Sequence, residues 1–192
     1  STYQWSDRNF YANYGGINKN VYLHLTDRLY QTLPLYSNLA TTGIYVYAQN
    51  FDIKGKSATV TAESQVRNEY AAGKTFDYEV IIEDMRGRIV KKINGGQHTL
   101  AAGESRTVKA SARLDGLNFW SWGYGYLYSV HSILKVNGQP LDVVKTQTGF
   151  RKIEFANGVV KLNDRVIQLK GYAQRTTNVW PAVWSSVPAW LS

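Results

Sequence analysis

The sequence of 192 residues contains no cysteine and no apolar run of about 18 residues or more. Without cysteine, the chain can form no disulfide framework and no thiolate metal site, and it has no cysteine nucleophile. Without a long apolar run, no segment is predicted to span a membrane. The polar and aromatic start, Ser1-Thr2-Tyr3-Gln4-Trp5, also lacks the layout of a signal peptide. These absences indicate an ordinary globular chain, either cytosolic or already trimmed, whose redox compartment stays open.

Positive charge is in excess but is not concentrated. The 22 Lys and Arg residues against 14 Asp and Glu residues give a formal net charge of +8. Such an excess can indicate a polyanionic partner such as nucleic acid. The basic residues are scattered, however, and form no basic run of about five to eight residues. We therefore predict a solvated basic surface and no nucleic-acid partner.

Residue types that carry catalysis or bind metals do not form a recognisable pattern. His24, His98 and His131 lie far apart and share no metal-ligand spacing, so we predict no metal site and no cofactor. Ser105 and Ser129 lack the flanking glycines of a hydrolase nucleophile elbow. No catalytic residue is assigned to this chain.

Aromatic residues make up 14% of the chain, with 14 tyrosines and six tryptophans. Rings of this kind fill the cores of β-sandwiches and also line sugar-binding clefts. The richest cluster lies at residues 119–128. It fits a packing or domain interface, and it also fits a surface on which Trp122 and Tyr124 stack against a sugar.

Between about residues 41 and 152, short extended runs alternate with Gly, Asn and Asp turns, which indicates antiparallel sheet. The clearest strand has apolar residues at alternate positions: Phe76, Tyr78, Val80 and Ile82. The alternation predicts that this face is buried and that the other face is solvated. Glu79 and Glu83 share the solvated face, and we interpret them as surface charges and not as a catalytic pair.

Further strands are predicted at residues 57–66, 89–93, 107–112, 126–136 and 141–146. Asn137-Gly138 favours a tight hairpin between the last two of them. Six or seven short strands at this spacing fit a two-sheet sandwich of about 100 residues. An open barrel of similar size fits the same pattern.

The two ends of the chain differ from this middle part. Residues 21–25 are predicted to form a strand, but residues 1–36 are too few to bury a core and indicate the tail of a larger unit. Asn157-Gly158 and Asn163-Asp164 are turn signals on either side of a strand at residues 159–162. A strand at 166–170 follows, and the remaining segment is expected to stop within an unfinished architecture.

Three segments carry a resemblance to a known family. Residues 14–23, Tyr-Gly-Gly-Ile-Asn-Lys-Asn-Val-Tyr-Leu, are similar to Gly-Gly-Ile-Tyr-Arg-x-Val-x-Leu. Residues 148–154, Thr-Gly-Phe-Arg-Lys-Ile-Glu, are similar to Phe-Gly-Phe-Arg. Residues 162–171, Leu-Asn-Asp-Arg-Val-Ile-Gln-Leu-Lys-Gly, are similar to Leu-Asn-Gly-Lys-Pro-x-x-Leu-(Arg/Lys)-Gly. In this order and spacing they resemble the family 2 glycoside hydrolases, such as β-galactosidases and β-mannosidases.

The resemblance implies three parts. Residues 1–40 correspond to the C-terminal end of a sugar-binding jelly roll, residues 41–153 to an immunoglobulin-like sandwich, and residues 154–192 to the incomplete start of a (β/α)8 catalytic barrel. The expected fold class is therefore all-β, an immunoglobulin-like antiparallel β-sandwich with partial flanking segments. Its expected partners are the remaining domains of the parent chain and, in the intact enzyme, a carbohydrate.

The resemblance also implies where catalysis takes place. Retaining hydrolysis needs two carboxyl groups about 5–5.5 Å apart, and in this family both are glutamates on later barrel strands. Because a barrel takes about 250 residues, this chain is expected to lack both and to be inactive alone. Beyond the first barrel strand, only Arg175 matches the family's Val-Asn-Arg-His-Glu. Arg175, Asn178 and Trp180 are expected to bind substrate in the intact parent.

Other residues take structural roles by the same resemblance. Trp120, Leu127 and Tyr128 are expected in the core. Arg151 is expected to anchor the sandwich to the barrel through ionic hydrogen bonds.

The leading hypothesis is a non-catalytic scaffold segment of an enzyme that hydrolyses β-glycosidic bonds. The alternative is a carbohydrate-binding sandwich that uses exposed Trp and Tyr, which requires the rings to form a row on an open face. An adhesion domain does not explain the barrel-entry sequence. The compartment is unknown from these residues, although a periplasmic or secreted location is favoured for a bacterial parent.

Overall fold

The computed structural model describes residues 21–33 and 40–171. The chain divides into two units, Thr26–Leu169 and a second unit formed by Ser1–Leu25 and Lys170–Ser192. All strands of the described residues lie in the first unit, and none of the described residues is helical. The described part of the chain thus contains no helix that could cross a membrane.

Eleven strands lie within the described part of the first unit. They are β1 (Leu29–Gln31), β2 (Ile44–Asp52), β3 (Ser57–Asn68), β4 (Lys74–Glu83), β5 (Ile89–Leu100), β6 (Ser105–Leu114), β7 (Tyr128–Val136), β8 (Gln139–Thr148), β9 (Ile153–Ala156), β10 (Val159–Leu162) and β11 (Arg165–Ile167).

The strands form two larger sheets and one small sheet, and every pairing is antiparallel. In the first sheet β3 is central and pairs along one edge with β6. Its other edge pairs with β2 over residues 57–64 and then with β1 over residues 66–68. The second sheet has the order β5-β4-β7-β8, and the small sheet has the order β9-β10-β11. Within the described residues no ladder joins the two larger sheets, so the fold is the expected all-β sandwich and not an open barrel.

The alternation in β4 places its apolar residues in the core, as predicted. Phe76, Tyr78, Val80 and Ile82 are all buried, with at most 1% of their surface exposed. They face the inner side chains of the first sheet, which include Val60 on β3 and Val108 on β6. Burial of an aliphatic or aromatic side chain of this size contributes about 1.5–3 kcal/mol, so this core is the main source of stability.

Three hairpins share a two-residue turn that begins with asparagine. The turns are Asn137-Gly138, Asn157-Gly158 and Asn163-Asp164, and all six residues have positive φ, between 49° and 77°. Positive φ at both central residues defines the type I′ turn, whose twist matches that of the flanking strands. Each turn therefore fixes the register of its hairpin, and the predicted turn signals are confirmed.

One predicted strand is absent, and another extends beyond its predicted end. Residues 21–25 form no strand, because no strand of the described residues pairs with them. The strand predicted at 89–93 continues to Leu100. It passes through Gly95-Gly96, a pair of glycines that in the sequence alone is also typical of a turn. A Cβ atom at Gly95 would lie 2.4 Å from Cδ1 of Tyr78, so the strand bulges there to receive the Tyr78 ring.

A buried polar network links the two larger sheets. The Gln31 side-chain carbonyl on β1 accepts hydrogen bonds from Ser64 Oγ on β3 at 2.9 Å and from Ser132 Oγ on β7 at 2.5 Å. Gln31 Nε2 donates to the Ser132 carbonyl at 3.0 Å, and the Gln31 backbone N–H donates to Asp142 on β8 at 2.8 Å. Tyr78 Oη lies 2.9 Å from Ser132 Oγ. Each of these buried groups is thereby satisfied.

Burial raises the pKa of Tyr78 from 10.0 to about 12, because an ionised phenolate has no water in this core. A raised pKa in the folded state contributes stability below the ordinary pKa of 10.0, and this contribution is lost as pH rises through about 12. Tyr78 therefore couples the stability of the sandwich to alkaline pH.

Tyr78→Phe is expected to lower the free energy of unfolding by about 1–2 kcal/mol at pH 7, since the bond to Ser132 is lost. The difference in unfolding free energy between the two chains should shrink by about 1.4 kcal/mol by pH 11. At that pH Tyr78 is ionised in the unfolded wild-type chain but still protonated in the folded one, which lowers the stability of the wild-type chain alone. Urea denaturation of both chains at pH 7, 10 and 11 measures this. A difference that stays constant over that range would contradict the raised pKa.

Candidate functional site

The loop between β6 and β7 presents the predicted aromatic pair at the surface. Ser121 and Tyr124 close a tight turn with two backbone hydrogen bonds of 2.9 and 3.0 Å, and Gly123 has φ of 72°. Trp122 stands at the tip of this turn with 65% of its surface exposed, and Tyr124 is 51% exposed. The structure therefore places Trp122 and Tyr124 together on one short turn.

Behind this turn, aromatic rings lead from the surface into the core. Ring centroids are 5.8 Å apart for Tyr124 and Tyr126, 5.1 Å for Tyr126 and Tyr128, and 5.2 Å for Tyr128 and Phe150. Tyr128 and Phe150 are buried. The stack runs inward, in the direction expected of packing, and only its outer end is open to solvent.

Of the three residues expected in the core from the family resemblance, Trp120, Leu127 and Tyr128, only Tyr128 is fully buried. Tyr128 is buried at 2% exposure, and its hydroxyl accepts a hydrogen bond from the Asn118 N–H at 2.8 Å. Trp120 is only half-buried, and Leu127 is exposed at 37%. The prediction is wrong for Leu127, because the chain enters β7 only at Tyr128 and Leu127 lies in the loop before it.

Gly149, Phe150 and Arg151 each have a separate packing role around Trp120. A Cβ atom at Gly149 would lie 2.7 Å from the Trp120 Cβ, so only glycine fits there. Phe150 is buried in the core, and its carbonyl accepts a 2.8 Å bond from the Trp120 N–H. The Arg151 guanidinium lies over the Trp120 indole, 5.1 Å from the ring centre. This motif therefore fixes the aromatic loop to the end of the sandwich.

Asn163 ties the small sheet to the sandwich. Its Nδ2 donates to the Trp120 carbonyl at 2.9 Å, and its Oδ1 accepts from the Lys152 N–H at 3.0 Å. Its backbone N–H donates to the Lys152 carbonyl at 2.9 Å. Three hydrogen bonds from one half-buried turn residue thus hold the aromatic loop, the exit from β8 and the β10–β11 hairpin together.

Ion pairs at this joint come from Lys152. Lys152 Nζ lies 2.6 Å from Asp164 and 3.1 Å from Glu154, and these two carboxylates raise the pKa of the lysine. Among the described residues Arg151 has no ion pair, and Lys152 makes the ionic contacts within this joint.

The small sheet exposes an apolar face. Ile153 and Phe155 on β9 are 46% and 78% exposed, and the register places Val160 and Ile167 on the same face. An exposed patch of large apolar side chains usually marks a surface that another domain or protein covers.

Glu79 and Glu83 lie on the outer face of the second sheet, as predicted. Lys135 Nζ is 2.8 Å from Glu79, and His131 Nε2 is 2.9 Å from Glu83. Each carboxylate is engaged by its own basic partner, an arrangement unlike a pair of carboxyl groups across one bond. Within the described residues no three His, Asp or Glu side chains gather as a metal site would require.

A cleft of about 310 Å³ opens where β2 approaches the segment that follows β8. Its lining residues come from these two places: Tyr45, Val46, Tyr47, Ala48, Phe51, Thr148, Gly149, Phe150, Arg151 and Ile153. Tyr45 and Tyr47 are not predicted as site residues from the sequence, and Asn163 is predicted only as a turn residue. The alternation of two tyrosines in one strand was the available signal for the cleft. Arg175, Asn178 and Trp180 lie outside the described residues.

Comparison with known proteins gives the family. Residues 44–151 match the family model of Glycosyl hydrolases family 2, and they span the sandwich from β2 to the Gly149-Phe150-Arg151 motif. The chain belongs to this family. The matched residues make up most of the β-sandwich described above.

Individual relatives agree with this assignment. A β-glucuronidase of Formosa agariphila is 34% identical over 97% of this chain. The structure of a β-glucuronidase from glycoside hydrolase family 2 is 32% identical, with a TM-score of 0.71 over 78% of this chain. Bacteroides uniformis β-glucuronidase 2, covalently bound to cyclophellitol-6-carboxylate aziridine, is 19% identical over 76% of this chain with a TM-score of 0.65, and shows the fold alone.

The chain is much shorter than these relatives. It spans 19% of the Formosa agariphila protein and 15% and 17% of the two solved structures. Those proteins therefore contain further domains beyond the part that corresponds to this chain.

Gly149→Ala is expected to lower the free energy of unfolding by about 1–3 kcal/mol, since its Cβ displaces the Trp120 ring. Gly125→Ala is the matched control, because a Cβ there meets Trp120 only at an ordinary 3.8 Å. Urea denaturation and near-ultraviolet circular dichroism of both variants measure the effect. Equal stability of the two variants would contradict the packing role of Gly149.

Asn163→Gly keeps a residue that tolerates positive φ but removes both side-chain hydrogen bonds. Amide hydrogens of residues 159–167 are expected to exchange about tenfold faster or more, because the small sheet loses its attachment to Trp120. Asn163→Asp, which retains only the acceptor for Lys152, should fall between. Asn157→Gly is the control in the neighbouring type I′ turn, and equal acceleration in that variant would show that the effect arises from the turn itself.

Proposed function

We propose that this chain is the non-catalytic connecting segment of a longer family 2 enzyme that hydrolyses β-glycosides. In this proposal the sandwich holds a sugar-binding domain on one side and a catalytic barrel on the other. Residues 1–40 are the end of the first, and residues 154–192 are the start of the second. The observation that supports this proposal most directly is the set of three hydrogen bonds made by Asn163. They attach the segment after β8 to the sandwich.

The geometry of the joint suits a connector. The type I′ turn defines the course of the chain at this point, and its asparagine bonds to two separate parts of the sandwich. The apolar face with Ile153 and Phe155 offers a surface for the following domain. Orientation errors of about 1 Å matter for an active site, so a joint of this kind supports catalysis from outside the site.

The substrate proposal rests on relatives. Two of the compared proteins are β-glucuronidases at 32% and 34% identity, so we infer that the parent acts on a β-linked glucuronide. Arg175, Asn178 and Trp180 remain our candidates for substrate contact in that parent. Glu79 and Glu83 each engage a basic partner of their own, which supports their role as surface charges and not as a catalytic pair.

A direct sugar-binding role for Trp122 and Tyr124 is the second candidate. Their exposure of 65% and 51% favours it. The inward course of the stack from Tyr124 to Phe150 favours packing, because only one end of the row is accessible.

Hydrolysis of nitrophenyl β-glycosides by the chain and by its full-length parent tests the proposal. The parent should hydrolyse the β-glucuronide at least tenfold faster than the β-galactoside or β-mannoside, and the chain should hydrolyse none of them. Activity in the chain would show that its own acidic residues catalyse the reaction. A parent that is inactive on every β-glycoside would refute the proposed activity.

A further inference from the structure

The cleft beside β2 combines features that the connecting role does not need. Among the described strands β2 pairs only with β3, and the segment after β8 lies near its other edge. The cleft of about 310 Å³ between them is at the lower end of the size range of small-ligand pockets. Its lining residues include Tyr45, Tyr47, Gly149 and Arg151.

The two tyrosines form an aromatic platform. Tyr45 and Tyr47 have ring centroids 5.2 Å apart with an interplanar angle of 33°, and Tyr45 is 64% exposed. Tyr47 is fixed in place, because its hydroxyl donates to Glu63 at 2.8 Å and accepts from Lys109 Nζ at 3.2 Å. The two tilted rings provide aromatic surface against which the C–H face of a pyranose packs.

Arg151 provides a positioned cation at the same cleft. Its guanidinium is held over the Trp120 ring, with 5.1 Å between Cζ and the ring centre. Among the described residues no carboxylate lies within ion-pair distance of Arg151, whereas the neighbouring Lys152 has two. Arg151 is exposed, and a planar guanidinium matches a carboxylate with two parallel hydrogen bonds.

We propose that this cleft is a surface binding site for an acidic sugar, a pyranose with a carboxylate within a polysaccharide. The pyranose packs on Tyr45 and Tyr47, and its carboxylate pairs with Arg151. The net charge of +8 favours approach of such a polyanion. The proposal does not depend on the catalytic activity of the parent, since binding takes place on this chain.

The cleft is less suited to a protein partner. Its lining includes the polar Thr148 and the exposed Arg151 beside apolar residues such as Ile153, so it is not a purely apolar surface of the kind that another domain usually covers. A buried contact with another domain would also need an acidic side chain from that domain for Arg151. The glycan is therefore the occupant that the residues favour.

Calorimetric titration of the chain with tetragalacturonate, and with the uncharged cellotetraose, tests the proposal. The acidic tetrasaccharide should bind about tenfold more tightly than the neutral one, in line with the loss of one charge-assisted hydrogen-bonded pair. Equal affinity for both sugars, or no heat with either, would overturn the assignment of a carboxylate subsite.

Variants distinguish binding in the cleft from a general electrostatic attraction of the acidic sugar to a basic protein. Arg151→Gln should weaken binding about tenfold, and Tyr45→Ser should weaken it similarly, whereas Tyr45→Phe should retain it. Lys92→Gln is the charge-matched control, because Lys92 is exposed on β5, at the far edge of the other sheet. A loss with Lys92→Gln as large as that with Arg151→Gln would mean diffuse charge attraction and would refute the site.

The full-length parent provides the last arm of the test. Its affinity for tetragalacturonate should fall by the same factor when Arg151 is changed to glutamine. Binding by the chain, but none by the parent, would show that another domain covers the cleft, and the proposal would then be wrong. Because binding and hydrolysis are read out separately, an inactive parent that still binds through Arg151 would refute only the proposed activity.

Discussion

The hydrogen bonding of Gln31 is the constraint on which the sandwich depends. Its side chain is buried and contacts both sheets, so Ser64 on one sheet and Ser132 on the other are satisfied only when the sheets face each other in one register. An apolar core alone tolerates sliding between its layers, but a shared acceptor does not. The same bonds attach the three-residue strand β1 to both sheets. The Tyr78 hydroxyl completes the network through Ser132.

Local chemistry accounts for the parts of the fold that could be predicted. The alternation at Phe76, Tyr78, Val80 and Ile82 gives a buried face because successive side chains point to opposite sides of a strand. Turns that begin with Asn137 or Asn157 are recognisable because few residues other than asparagine and glycine adopt positive φ at low cost. Both signals are contained within a few neighbouring residues.

The missed features depend on residues that are distant in sequence. Gly95 is not a turn because the ring of Tyr78, on the adjacent strand, occupies the space of its Cβ. Asn163 joins the small sheet to the sandwich only because Trp120, 43 residues earlier, lies beside it. Tyr45 and Arg151 likewise form one cleft through the closeness of β2 to the segment after β8. Periodicity and composition cannot show such pairings, whereas the three dispersed segments of the family resemblance indicated the architecture around them.

The apolar face of the small sheet has a consequence for the colloidal behaviour of the chain. Phe155, 78% exposed, gives two copies a surface through which they can adhere, while the net charge of +8 keeps the copies apart. At ordinary ionic strength, salt screens the repulsion between charges that are more than about 8–10 Å apart. It does not weaken the buried apolar core. We therefore expect the association of isolated chains to respond to ionic strength more strongly than their folding does.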